Sequence, residues 1–229
     1  MNATLPRRLV AEFVGTLFLL AAVVGSGIMG DRLASGNVAI ALLANSIATG
    51  AALIALILAF ASVSGAHFNP AVTLAAAWQG GIAWRDVPLY IAAQLVGAIA
   101  GVLAAHLMFG EPWFSASTHA RSGPAQLFSE FLATFGLVTV LWGSSRTRPA
   151  AVPFAVGAYI AAAYWFTSST SFANPAVTLA RALTNTFSGI RPVDVPGFIL
   201  AQLAGAFAAS ALLRWLLQNP VKPPSHLTH

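Results

Sequence analysis

Long apolar stretches separated by short polar segments set the pattern of this chain: residues 9–29, 38–63, 87–109, 127–143, 150–167 and 195–217. Most approach the roughly 20 residues that a helix needs to cross a bilayer. Two further apolar segments, 69–78 and 174–183, are too short to span. Each begins with the same seven residues, Asn-Pro-Ala-Val-Thr-Leu-Ala, at Asn69, Pro70, Ala71 and again at Asn174, Pro175, Ala176. Asn is a strong helix N-cap, and Pro suits the first helical position because its missing N–H had no intrahelical partner. Both copies therefore predict the start of a re-entrant half-helix. The Asn oxygen is expected to accept from Ala71 or Val72, and from Ala176 or Val177, leaving the side-chain NH2 free to donate. Non-helical backbone at membrane depth is tolerated only where protein or a water-filled cavity satisfies it, so these segments imply a lumen. Two half-helices meeting there would place two positive dipole ends at one spot, which attracts polar oxygens and repels cations.

The similarity between the halves extends further. Leu9-Val-Ala-Glu12-Phe-Val-Gly-Thr16 parallels Leu127-Phe-Ser-Glu130-Phe-Leu-Ala-Thr134. Asp86-Val-Pro88 with Gln94 to Gly97 parallels Asp194-Val-Pro196 with Gln202 to Gly205. Each half reads as three spans plus one half-helix, repeat one over about 7–109 and repeat two over about 124–217, in a single domain covering 1–229. An odd number of spans per half makes the second copy enter from the opposite side, an inverted repeat about an axis in the membrane plane. The small residues Gly97 and Gly101, and Gly205 and Ala209, have the spacing that lets helix backbones approach closely. Gln94 and Gln202 are expected to hydrogen-bond within the bundle.

Glu12 and Glu130 stand inside apolar stretches, where a charge costs roughly 2.5–3.5 kcal/mol on the more lenient scale. The re-entrant loops 64–68 and 168–173 carry backbone N–H groups without helical partners, and a buried carboxylate can accept from them. One brace per loop is the expected role. Glu12 also argues against reading residues 9–29 as a signal peptide, since its counterpart Glu130 lies where no signal peptide could be.

Composition agrees. Of 229 residues, 58% are hydrophobic and 7% charged, against about 25% charged in soluble domains. The net charge of +5 comes with no basic run, so nucleic acid is not an expected partner. Arg7, Arg8, Arg85, Arg146, Arg148, Arg214 and Lys222 fall on one side by this topology, and Arg32, Arg121, Arg181 and Arg191 on the other. That excess predicts cytoplasmic termini. With no Cys there is no disulfide framework, and no His pair has metal spacing. Neither an enzyme nor a cofactor or metal site is expected. The segment 218–229, with Pro220, Pro223 and Pro224, is expected to be disordered.

The run Ser64-Gly-Ala-His-Phe-Asn-Pro-Ala-Val-Thr73, followed by the second Asn-Pro-Ala, closely resembles the aquaporin and aquaglyceroporin family over about residues 7–217. The resemblance implies an all-α membrane protein: a right-handed bundle of six transmembrane helices with two half-helices meeting at its centre, one pore per subunit, and a homotetramer in a bacterial inner membrane. It implies that Asn69 and Asn174 donate to the passing solute and that His67 belongs to the cytoplasmic side of the pore. Most members carry Arg three positions after the second Asn, at a constriction near the outer mouth; here that position is Val177. By motif spacing the other constriction positions fall on Thr49, on Ser171, and on Tyr164 or Ala162, with Tyr164 preferred because loops absorb deletions more easily than helices. Water-selective members usually place Phe and His at the first and fourth positions, so this filter is expected to be wide, half polar and uncharged.

Arg181 lies four residues beyond Val177, about 6 Å further along the same helix face. It either reaches into the outer vestibule or snorkels to the interface, and snorkelling is the ordinary expectation. The leading reading is a passive channel for small uncharged polar solutes such as glycerol, urea, water and metalloid hydroxides. Family members associated with bacterial arsenic handling also lack the filter Arg, which makes arsenical conduction the specific expectation. The alternatives are a water-selective channel, a poorly conducting structural membrane protein, and a coupled transporter using Glu12 or Glu130.

Overall fold

The computed structural model describes residues 3–217, so the Pro-rich segment 218–229 lies outside the described residues. Among the described residues the fold is all-helical, with six helices long and apolar enough to cross a membrane. Helix α1 (Leu5–Leu33) leads through a short turn to α2 (Val38–Ser64), whose first N–H groups are capped by the Asn37 side chain. Gly65, at φ +89°, ends α2 in the left-handed conformation that costs glycine little. The chain then runs to the half-helix α3 (Pro70–Trp78) and on to α4 (Val87–Phe109). The second half repeats this order with α5 (Pro124–Thr147), α6 (Val152–Phe166), the half-helix α7 (Pro175–Arg181) and α8 (Val195–Leu216).

The packing shows the repeat directly. Helix α1 packs on α4 as α5 packs on α8, and α2 joins the halves through α6. A side chain at Gly97 would collide with the Phe13 carbonyl oxygen, and one at Gly205 with that of Phe131. Gly101 lies equally close to Leu17 of α1. At the α2–α6 crossing, a Cβ on Gly50 would sit 2.8 Å from the Gly157 carbonyl oxygen, and one on Gly157 would sit 2.5 Å from that of Gly50. Small residues thus let three helix pairs meet backbone to backbone, where lipid offers no hydrophobic drive between them.

One half-helix is shorter than its sequence suggests. Helix α7 ends at Arg181 although the apolar run continues to Leu183. The segment after it is drawn into loop contacts: Ser117 and Ser115 donate backbone N–H groups to the carbonyls of Ala182 and Leu183, and Ile190 donates to that of Arg181. The carbonyls that a longer helix would have used internally are paired with loops instead.

Gly97→Val should destabilise the protein by about 1–3 kcal/mol, the usual range for overpacking a tight contact. Gly143→Ala, at a helical glycine with no neighbour within reach of an added Cβ, should be neutral or slightly stabilising. Thermal unfolding of the two variants in detergent checks this; equal melting temperatures would remove the close α1–α4 approach as a determinant of stability.

Candidate functional site

Both half-helices begin on an Asn cap. The Asn69 Oδ1 accepts from Ala71 N at 2.9 Å and Val72 N at 3.4 Å. The Asn174 Oδ1 accepts from Ala176 N at 3.0 Å and Val177 N at 3.3 Å. Their NH2 groups are not wholly free, which corrects the expectation from sequence. Asn69 Nδ2 donates to the Ala173 carbonyl at 2.7 Å, and Asn174 Nδ2 to the Phe68 carbonyl at 2.8 Å. Each amide therefore spends one hydrogen on a reciprocal cross-link between the two loops. The second hydrogen of each remains, and both Asn residues line the central cavity.

The loops that carry the caps are held from behind by the two buried carboxylates. Glu12 accepts from Ser64 Oγ at 2.6 Å, His67 N at 2.9 Å, Phe68 N at 2.7 Å and Gln94 Nε2 at 2.8 Å. Glu130 accepts from Phe172 N and Ala173 N, both at 2.9 Å, and from Gln202 Nε2 at 2.6 Å. Every contact uses the carboxylate as an acceptor, the role of its ionised form. Gln94 and Gln202 also donate to Thr73 and Thr178, whose hydroxyls bond back to the Asn69 and Asn174 carbonyls. Each carboxylate is thus linked through Gln and Thr to the first turn of its half-helix.

These loops adopt a backbone that side chains resist. Ala66 and Phe68 in the first loop, and Thr170, Ser171 and Ala173 in the second, have φ between +49° and +61°. The left-handed conformation costs a non-glycine residue roughly 1–2 kcal/mol. Such strain persists only where the surroundings over-determine it, and here the carboxylate and Asn bonds do so.

The cavity between the halves has a volume of about 310 Å³. Its lining extends from Ser145 and Pro149 at the α5–α6 turn, past His67 and the two Asn caps, to Thr49, Tyr164 and Arg181. His67 packs beside Tyr90 at 5.4 Å between ring centres and meets Thr73 through Nδ1 at 3.2 Å. Thr49, Tyr164, Ser171 and Val177 all line the cavity, and the Thr49 and Tyr164 hydroxyls are hydrogen-bonded at 3.2 Å. Ala162 is exposed on the outside of α6.

Arg181 does not snorkel, contrary to expectation. It is 2% exposed, lines the cavity, and rests its guanidinium carbon 3.4 Å from the centre of the Phe172 ring. The region around Val177 is therefore not uncharged. Sequence reasoning missed two neighbours. Phe172 carries a second guanidinium, that of Arg121, at 5.0 Å. Arg121 is buried in the loop before α5, where its Nε donates to the Gly189 carbonyl and its Nη1 to Ser169 O and Thr170 Oγ1. Burial lowers its pKa to about 10, with Glu130 opposing the shift, so it stays charged at neutral pH. No spacing rule marked it, because a lone Arg in a polar loop is ordinarily a solvated residue.

The family model described as Major intrinsic protein matches residues 1–164 and 144–228. "Aquaglyceroporin AqpS" of Rhizobium meliloti (strain 1021) is 58% identical over 219 residues, covering 96% of this chain and 93% of that protein. "Aquaporin NIP1-1" of Zea mays is 34% identical over 209 residues, covering 88% of this chain and 73% of that one. The X-ray structure of the aquaglyceroporin from Plasmodium falciparum superposes with a TM-score of 0.74, covering 92% of this chain and 96% of that one; at 21% identity it attests the fold. The chain belongs to the major intrinsic protein family and is a multi-pass membrane protein.

Glu130→Gln should cost about 1–3 kcal/mol, because an amide NH2 would face N–H donors that now find an acceptor. Glu130→Ala should cost at least as much. Melting temperatures in detergent, with hydrogen exchange at Phe172 and Ala173, test this; unchanged protection there would mean the loop does not depend on the carboxylate.

Proposed function

We propose that the protein is a passive channel for small uncharged polar solutes, with glycerol, urea, water and metalloid hydroxides in its range and arsenous acid the specific solute. The observation that carries this reading is the cavity: two Asn amides with a donor hydrogen to spare reach a lumen whose filter positions Thr49, Ser171 and Val177 are all small. A solute can exchange water for weak, rapidly broken hydrogen bonds at such sites, which favours conduction over trapping. With Val rather than Arg at position 177, the lumen keeps extra width for a triol of glycerol's size. The aquaglyceroporin name of the Rhizobium relative supports the glycerol class. Arsenous acid follows from its likeness to a small polyol in shape and donor count.

Asn69 and Asn174 act as transient donors in this reading, and His67 lines the cytoplasmic half. Covalent chemistry, an ion gradient and a cofactor have no part in it. The Arg excess at the end of the bundle holding the α1 N-terminus, the α5–α6 turn and the α8 C-terminus supports cytoplasmic termini. A bacterial inner membrane and a homotetramer follow from the family resemblance.

Swelling of proteoliposomes across a solute panel is the direct test. Downhill flux without accumulation is expected; accumulation that collapses with a protonophore would replace the channel by a coupled transporter. Passage of water alone would make it water-selective, and no flux above empty liposomes would leave a structural protein. Val177→Arg should cut glycerol and arsenous acid flux by about tenfold or more while water flow falls less, since the guanidinium occupies volume that larger solutes need. Equal passage of the larger solutes through variant and wild type would mean that Val177 does not lie at the constriction.

A further inference from the structure

We propose that Arg181 is the cation barrier of this pore, acting from one helical turn beyond Val177 as the fixed charge that position 177 lacks. The inference rests on the channel reading above and assigns the residue that keeps a wide filter tight to ions. Val177 and Arg181 stand four residues apart on α7, and both line the cavity. The Arg181 side chain is buried, and its Nε donates to the Ser188 carbonyl. Among the described residues its Nη groups have no hydrogen-bond partner and no carboxylate lies within ion-pair distance of it. A charge taken from water into a protein interior is costly unless it is paired or solvated. Facing the lumen, the Nη groups can be solvated by water or by a solute hydroxyl.

Arg121 provides the internal contrast. It is also buried and stacks on the same Phe172 ring, yet its Nε and Nη1 are spent on loop oxygens, so it holds the loop. Arg181 keeps its outer nitrogens for the cavity. Ser171 adds a second observation, because its Oγ is buried, lines the same cavity and has no partner among the described residues. Guanidinium donors and a free hydroxyl therefore border the passage together, an arrangement that suits a neutral polyhydroxyl solute and opposes a cation.

The position of Arg181 is built rather than incidental. Ser188, whose carbonyl fixes the guanidinium, donates its own hydroxyl to the Val23 carbonyl of α1 at 3.1 Å. That approach is possible because Gly27 has no side chain; a Cβ there would collide with Ser188 Oγ. The Ile190 N–H closes on the Arg181 carbonyl at 3.3 Å. Loop, helix and glycine together hold one charged group against the lumen wall.

The test uses the full chain in proteoliposomes, with glycerol swelling and proton and sodium leak under a potassium diffusion potential measured on the same preparation. Arg181→Met should raise the ratio of cation leak to glycerol flux by about tenfold or more, and Arg181→Lys should keep that ratio near wild type. Arg181→Gln, which retains a donor for the Ser188 carbonyl, should leak like the Met variant and covers the case in which that variant fails to reconstitute. A Met or Gln variant that conducts glycerol yet is as tight to cations as wild type would overturn the proposal and leave the half-helix dipoles as the barrier. Failure of both to reconstitute beside a folded, conducting Lys variant would also overturn it, assigning Arg181 to loop anchoring. Absence of glycerol flux in wild type would instead sink the channel reading itself.

Discussion

Backbone polar groups at the middle of a bilayer have no water to bond, and the architecture follows from how this chain meets that constraint. Two loops leave helical geometry at that depth to turn the chain back on itself. Their orphan N–H groups converge on Glu12 and Glu130, which are otherwise expensive residues to bury. The expense of the carboxylate and that of the unpaired amides cancel against each other, since charge-assisted bonds are roughly twice as strong as neutral ones. The left-handed residues Ala66, Phe68, Ser171 and Ala173 are tolerable because these bonds fix them.

The duplicated motif gains its meaning from a contact that neither copy makes alone. Each Asn caps its own half-helix with oxygen and reaches the opposite loop with nitrogen, so the halves lock at the point where the dipole ends meet. Asp in place of either Asn could still cap but could not donate. The cross-link also takes up one of the two donor hydrogens of each amide, leaving one per Asn at the cavity.

The sequence made much of this legible. Six apolar runs gave the spans to within a few residues, and the repeated Asn-Pro-Ala gave both half-helix starts, because length and cap chemistry are local properties. The inverted relation followed from an odd span count. Less visible were features decided by tertiary contact. The Asn amide bonds to Phe68 and Ala173 needed two loops in register, and α7 stops at Arg181 because a distant loop takes its carbonyls. The burial of Arg181 was hidden for the same reason, since snorkelling and burial share one sequence pattern. The choice between Tyr164 and Ala162 turned on helix phase, which an uncertain loop length leaves open until the helix is placed.

A symmetric frame carries an asymmetric lumen. The structural residues match pair by pair across the halves: Glu12 with Glu130, Asn69 with Asn174, Thr73 with Thr178, Gln94 with Gln202. Several aligned positions at the cavity differ. His67 stands against Phe172 and Ala66 against Ser171, while Arg181 of α7 lines the cavity and its counterpart Ala76 of α3 does not. Duplication supplies a pore because both halves satisfy one backbone constraint in the same way, and identical bracing leaves the lumen positions free to differ. Of the two guanidinium groups stacked on Phe172, Arg181 belongs to the second half and Arg121 to the connection between the halves. The guanidinium that borders the cavity, that of Arg181, therefore comes from one half of the duplication only.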